Sequence, residues 1–172
     1  MKQWVTWKDI QDKCDTIVEQ VQSSGFVPKH IVGLSRGGLV PATIIANQLK
    51  VREVYVHGYH SYDDDTNRRD PDNPHGVMYQ DVVYDLMRNC EGREVLIVDD
   101  LCDEGITMLG LLNRLEKKFS DGAVKVRCAA LYCKEHSQFQ PIYTGEMVDN
   151  WWLVFPWEQQ LTKQTIRDTI YR

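Results

Sequence analysis

The apolar positions of this chain switch between helical spacing and short continuous runs. From Trp7 to Ser24, Ile10, Cys14, Ile17, Val18 and Val21 recur every third or fourth position, which predicts an amphipathic first helix, and Gly25 follows as a stop signal. Ile31-Val32-Gly33-Leu34 predicts a short strand; Ser35-Arg36-Gly37-Gly38 breaks it, and Leu39 to Leu49 resumes as a helix with Pro41 tolerated in its first turn. Val54 to Tyr59, β-branched and aromatic, predicts a second strand. After Ser61-Tyr62 the pattern lapses into a polar stretch, Asp63 to Gly76, holding Pro71, Pro74 and Arg68-Arg69 and read as an exposed loop. Met78 to Cys90 suits a helix through Val82, Val83, Leu86, Met87 and Cys90, while Val77 to Tyr79 also suits the start of a strand.

Val95 to Val98 is a continuous apolar run ending in Asp99-Asp100, as expected of a strand buried on both faces in a parallel sheet. A turn over Leu101 to Ile106 leads into a helix from about Thr107 to Phe119 that carries Met108, Leu111, Leu112, Leu115 and Phe119 inward. Val124 to Tyr132 predicts another strand, and Glu158 to Tyr171 a tail helix with Leu161, Ile166 and Ile170. Strands alternating with helices predict an α/β fold, a doubly wound and mostly parallel sheet whose ligands bind beyond the carboxyl ends of the strands. At 172 residues, with no repeat or dividing linker, the chain reads as one domain over 1–172.

Composition narrows the partners. Hydrophobic residues make up 42% and charged residues 26%, ordinary for a soluble globular domain. The 20 Lys and Arg against 25 Asp and Glu leave a charge of -5, so no global attraction for nucleic acid or an anionic membrane is expected. No apolar run approaches the roughly 20 residues of a membrane span, and Met1-Lys2-Gln3-Trp4 lacks the apolar stretch of a secretory signal, so a cytoplasmic location is expected. The five cysteines are odd in number and lack the paired short spacings of a zinc site; reduced, packed thiols are expected, Cys128 and Cys133 included.

Two loops fall where such a sheet places a site. Ser35-Arg36-Gly37-Gly38 combines close backbone approach with a fixed cation, which suits phosphate or pyrophosphate held by backbone N–H groups, or else is a turn whose glycines only relieve crowding. The stretch from Asp99 to Thr107 is more specific. Two adjacent acids at the end of a buried strand are costly without a cation or hydroxyl partners. The helix start that follows can receive a phosphate, while the carboxylates can bind ribose hydroxyls or water held by Mg²⁺. The alternative is that the acids merely cap the helix on a solvated turn.

At these residues the sequence resembles the type I phosphoribosyltransferases. Val95 to Thr107, VLIVDDLCDEGIT, is similar to the family's signature of a buried strand, paired acids and a phosphate turn, and Ser35-Arg36-Gly37-Gly38 resembles its pyrophosphate loop. Val5-Thr6-Trp7, Ser35 to Ala42, Ser61-Tyr62-Asp63, Lys134 and Trp152 to Glu158 look like the bacterial xanthine-guanine (6-oxopurine) branch. The resemblance implies transfer of the 5-phosphoribosyl group from phosphoribosyl pyrophosphate (PRPP) to guanine, xanthine or hypoxanthine, with Mg²⁺, in purine salvage. It also implies a lid loop over about 61–78, a small base-binding hood from the C-terminal third over about 133–158, and a homodimer or homotetramer.

Carried over by position, Asp103, Glu104, Gly105, Ile106 and Thr107 would bind the 5′-phosphate, and Asp99 and Asp100 would face the ribose hydroxyls and the Mg²⁺ shell, largely through water. Ser35, Arg36, Gly37 and Gly38 would hold pyrophosphate, across a cis peptide that does not involve proline. Asp103 would be catalytic, either taking the purine N7 proton or stabilising the protonated base by charge. Ser61, Tyr62 and Arg68 or Arg69 would belong to the lid, although those arginines could equally neutralise neighbouring aspartates. Lys134 would donate to the purine O6, Trp152 would stack on the base in competition with Trp151, and backbone near Leu153 and Glu158 would read the two-position edge. For each ring of the cluster Trp151, Trp152, Phe155 and Trp157, core packing is the competing role.

Three positions depart from the family pattern. Glu104 stands where threonine is common and sets an anion beside the expected phosphate, Glu135 replaces a proline after the lysine, and 63–92 is longer and more acidic than expected. Glu104 keeps a second class open, a PRPP- or nucleotide-sensing protein with weak catalysis; a third reading is transfer to a non-purine acceptor.

Overall fold

A computed structural model describes residues 2–60, 77–80, 93–119 and 124–158. In chain order its elements are β1 (Lys2–Trp4), α1 (Trp7–Ser23), β2 (His30–Ser35), α2 (Leu39–Leu49), β3 (Glu53–His60), β4 (Val77–Gln80), β5 (Arg93–Cys102), α3 (Ile106–Lys118), β6 (Val124–Lys134), β7 (Tyr143–Val148), β8 (Trp152–Val154) and a 3-10 turn (Pro156–Glu158). None of the described helices is long and apolar enough to cross a membrane.

Six strands form one sheet in the order β4-β3-β2-β5-β6-β7. All its pairings are parallel except that of β4 with β3. The alternation along each strand sorts the core into two layers. Ile31, Leu96, Val98, Ala129 and Leu131 face α1 and α2 through Ile10, Cys14, Ile17, Ile45 and Ala46. Val32, Leu34, Val95, Ile97, Cys128 and Ala130 face α3 through Met108, Leu111 and Leu115. Helices on both faces make this the doubly wound α/β arrangement expected from the pattern.

Order in the sheet also locates the site. From β2 the chain moves outward to β3 on one side, whereas β5, β6 and β7 build outward on the other, so the strand order reverses between β2 and β5. Crevices at such switch points are where open α/β sheets bind ligands. Pairing of β2 with β5 runs from His30↔Val95 to Gly33↔Val98; beyond it β2 ends at Ser35, and β5 continues against β6 alone, through Leu101↔Tyr132 and Cys102↔Cys133.

That continuation corrects the expected turn at Leu101 to Ile106. Leu101 and Cys102 are still strand, because backbone pairing to β6 does not depend on the polarity of the Asp99-Asp100 side chains. Helix α3 begins at Ile106 rather than Thr107, and Lys134 is the last residue of β6 rather than a residue after it. Three strands went unpredicted. β7 extends the main sheet, and β1 pairs in parallel with β8 through Lys2↔Trp152 and Trp4↔Val154, so the small second sheet draws on both ends of the chain. Of the segment Met78 to Cys90, the described part is strand β4 and not helix; its remainder with Cys90, the lid residues Ser61, Tyr62, Arg68 and Arg69, and the tail helix beyond Glu158 lie outside the described residues.

Helix α1 is fixed at its start by a capping box: the Thr6 hydroxyl accepts from Asp9 N at 3.1 Å and Thr6 N donates to the Asp9 carboxylate at 2.8 Å. Thr6→Ala is therefore expected to cost about 1 kcal/mol, whereas Ile97→Ala in the fully buried centre of β5 should cost about 2–5 kcal/mol. Urea denaturation of both variants checks that ranking.

Candidate active site

Where β2 ends, the chain crosses directly over the end of β5. A Cβ added at Gly38 would stand 2.6 Å from the carbonyl oxygens of both Leu34 and Val98, and one added at Gly37 would fall on the Asp100 carboxylate. Only glycine permits backbone to approach that closely. The Ser35–Arg36 peptide is cis, within the loop for which the resemblance implied such a bond. Gly38 then caps α2 with no side-chain hydrogen bond to its N–H groups, and Arg36 is exposed beside it.

Asp99 and Asp100 are part-buried against this turn. Asp99 Oδ1 accepts from Asp100 N at 2.9 Å and Asp100 Oδ1 from Leu101 N at 3.0 Å. Burial, and then the neighbouring Asp100 charge, push the Asp99 carboxyl well above the usual carboxylate range; Asp100 is raised by burial and by Glu158, against the lowering effect of its hydrogen bond with Asp99.

Beyond β5, the loop from Asp103 to Gly105 packs on a turn that sequence reasoning missed. Asp103 Oδ1 is 3.2 Å from His136 Nε2. Gly105 has φ +79° and abuts Ser137 and Phe139, where an added Cβ would lie 2.9 Å from Ser137 Oγ and 2.7 Å from Phe139 Cβ. Cys102 Sγ donates to Phe139 O at 3.2 Å. The only available signal was a lone histidine two positions after Lys134, too common to mark a site. Gly105 caps α3 without a side-chain bond, Glu104 is exposed, and Ile106 and Thr107 sit part-buried in the first turn. The start of α3 thus offers backbone N–H groups and a positive helix end at the sheet's carboxyl edge.

Lys134 is buried at the end of β6, and its Nζ donates to Asp149 O at 3.1 Å and to Trp151 O. Burial lowers its pKa, opposed by the charges of Asp103 and Asp149. Among the described residues, two of its three N–H groups are on carbonyls and one is left for a further acceptor. Trp151 and Trp152 are both exposed, at 42% and 55%, whereas Phe155 is buried and stacks on Trp157 with centroids 4.9 Å apart. Leu153 is buried in β8, and Glu158 donates its N–H to Phe155 O and accepts Phe155 N on its carboxylate. Cys14, Cys102, Cys128 and Cys133 are free and buried, with the thiols of Cys14, Cys102 and Cys128 pushed up to about 12 by burial, which suits packing rather than nucleophilic chemistry.

Fold and site together define an α/β protein with a strand-end crevice built from a glycine turn, paired carboxylates, two open helix starts and a lysine-anchored aromatic loop. The chain belongs to the phosphoribosyl transferase domain family, whose model matches residues 3–161. It is similar to the xanthine-guanine phosphoribosyltransferase of Idiomarina loihiensis, 31% identical over 159 residues that cover 92% of this chain and 88% of that protein. The enzyme of the same name from Gluconobacter oxydans is 28% identical, covering 90% and 83%. Among solved structures, a purine phosphoribosyltransferase from Pyrococcus horikoshii superposes with a TM-score of 0.73 at 24% identity, covering 94% of this chain and 97% of that one, a likeness of fold.

The raised carboxyls carry a stability consequence. A carboxyl whose folded pKa lies above its unfolded value binds more protons when folded, so stability falls as pH rises from about 4, the unfolded value, through the raised one. Asp99→Asn is therefore expected to melt higher than the wild type at pH 7 without ligands, the gap closing towards pH 4. Thermal melts at the two pH values check the sign.

Proposed function

We propose that this chain transfers the 5-phosphoribosyl group of PRPP to a 6-oxopurine base, giving a nucleoside 5′-monophosphate and pyrophosphate. The observation that carries the reading is the close approach of the Gly37-Gly38 backbone to the end of β5, at the Asp100 carboxylate and the Asp99 backbone, which brings an anion-binding turn and a pair of hydroxyl- or cation-binding acids to one crevice. The curated relatives' names point to xanthine and guanine as acceptors.

In this reading the turn Ser35 to Gly38 holds pyrophosphate, with Arg36 as its cation. The start of α3, through Asp103 to Thr107, holds the 5′-phosphate by backbone N–H groups. Glu104 is exposed, and the 5′-phosphate is held through backbone groups and not through its side chain. The free N–H of Lys134 donates to O6 and so favours an oxo over an amino group. Trp152 or Trp151, both exposed, covers the base, and the edge near Leu153 and Glu158 reads its two-position. Residues 133–158 form the hood of a single domain.

Mg²⁺ fits the donor set. Asp99 and Asp100 offer hard oxygen donors whose raised pKa values a divalent cation would reverse, and no group of three ligating side chains stands among the described residues. That matches an ion held by one or two carboxylates, water and substrate oxygens. When bound, Mg²⁺ supplies charge neutralisation to the leaving pyrophosphate. Asp103 takes or balances the N7 proton as the base nitrogen attacks C1′. The chain works in the cytoplasm as a homodimer or homotetramer, with no nucleic-acid partner, in keeping with its charge of -5.

Incubation with PRPP, Mg²⁺ and each of guanine, xanthine and hypoxanthine should release pyrophosphate, and chelation of the metal should stop it; no turnover with any base would overturn the reading. Asp103→Asn should lower kcat by about 100-fold, while Lys134→Ala should chiefly raise KM for the base, separated by steady-state kinetics.

A further inference from the structure

Resting on the phosphoribosyl-transfer reading, we propose that His136 is a positioning residue for Asp103, holding one carboxylate oxygen so that the other stays directed at the acceptor base. His136 Nε2 stands 3.2 Å from Asp103 Oδ1, with the two side chains 47% and 44% exposed at the open edge of the crevice. An exposed pair of this kind contributes little to stability, so its value lies in orientation.

The turn that carries His136 is itself fixed. Ser137 N donates to Lys134 O and Glu135 N to Val148 O, both at 3.0 Å, and Ser137 Oγ donates to Phe139 O at 2.7 Å. It is keyed to the Asp103 loop on both sides of Asp103: through the Cys102 thiol before it and through the close approach of Gly105 after it. The two loops are therefore held in register independently of the His136–Asp103 contact, which is left to set the rotation of the carboxylate.

The chemistry follows from that geometry. As the purine N9–C1′ bond forms, the C1′–oxygen bond to pyrophosphate breaks and its electron pair leaves with the pyrophosphate. The N7 proton passes to Asp103 Oδ2. His136 keeps its own proton on Oδ1 throughout and is neither acid nor base in the step; it stops the carboxylate rotating out of line.

Steady-state kinetics of the wild type, His136→Ala, His136→Gln and the Asp103→Asn/His136→Ala double variant test this. His136→Ala should lower kcat about tenfold, within the range a misplacement of roughly 1 Å can cost, with KM for PRPP held within about twofold. His136→Gln, which restores an N–H donor, should recover most of the rate. In the Asp103→Asn background His136→Ala should change kcat less than about twofold, because the residue acts through Asp103. An unchanged kcat in His136→Ala, an equal loss in both single variants, or full additivity in the double variant would overturn the inference alone. No turnover by the wild type would overturn the underlying reading and this inference with it.

Discussion

The crevice depends on the absence of a side chain at Gly37 and Gly38. Because no Cβ stands there, the backbone leaving β2 lies against the Asp99 backbone and the Asp100 carboxylate at the place where the strand order reverses. That contact has a cost, since two neighbouring carboxylates are driven into a part-buried position where both resist ionisation. Under the proposed function the cost is offset when cation and substrate hydroxyls arrive, so the free protein stores a site tuned for occupants that it does not carry alone.

Around this contact the remaining parts are keyed by close backbone approach and by side-chain bonds to carbonyls. The start of α3 is set by Gly105 against the 137–139 turn, and the loop after β7 is pinned by Lys134 through two carbonyls. Glu158 reaches back electrostatically to Asp100. For a chain of charge -5 to hold a polyanion, positive potential must be local. Arg36, two helix starts without side-chain caps and Lys134 supply it at one edge of the sheet.

Much of this was legible in the sequence, for physical reasons that also mark where legibility ended. Glycines beside a strand end and acids at the end of an apolar run are both costly to place without purpose, so Ser35 to Gly38 and Asp99 to Thr107 stood out. The end of β5 was misjudged because side-chain polarity says little about backbone pairing, and Leu101 and Cys102 remain paired with β6. β7 went unseen because Tyr143–Val148 alternates weakly, with Gly145 and the exposed Glu146 and Met147 in its middle. β1 is too short to show a period, and its partner β8 lies at the far end of the chain. His136 and Phe139 carry no spacing signal, since their importance arises from the turn that sets them beside Asp103 and Gly105.

The direct test is titration calorimetry of PRPP with Mg²⁺ into the wild type and Gly37→Ala. The account predicts that both proteins melt cooperatively and that the added methyl, which has to displace the Asp100 carboxylate, weakens binding by about 100-fold, as expected when site groups shift by roughly 1 Å. Equal affinity in the two proteins would contradict it, for the glycine-to-carboxylate contact would then be a feature of packing with no part in the site.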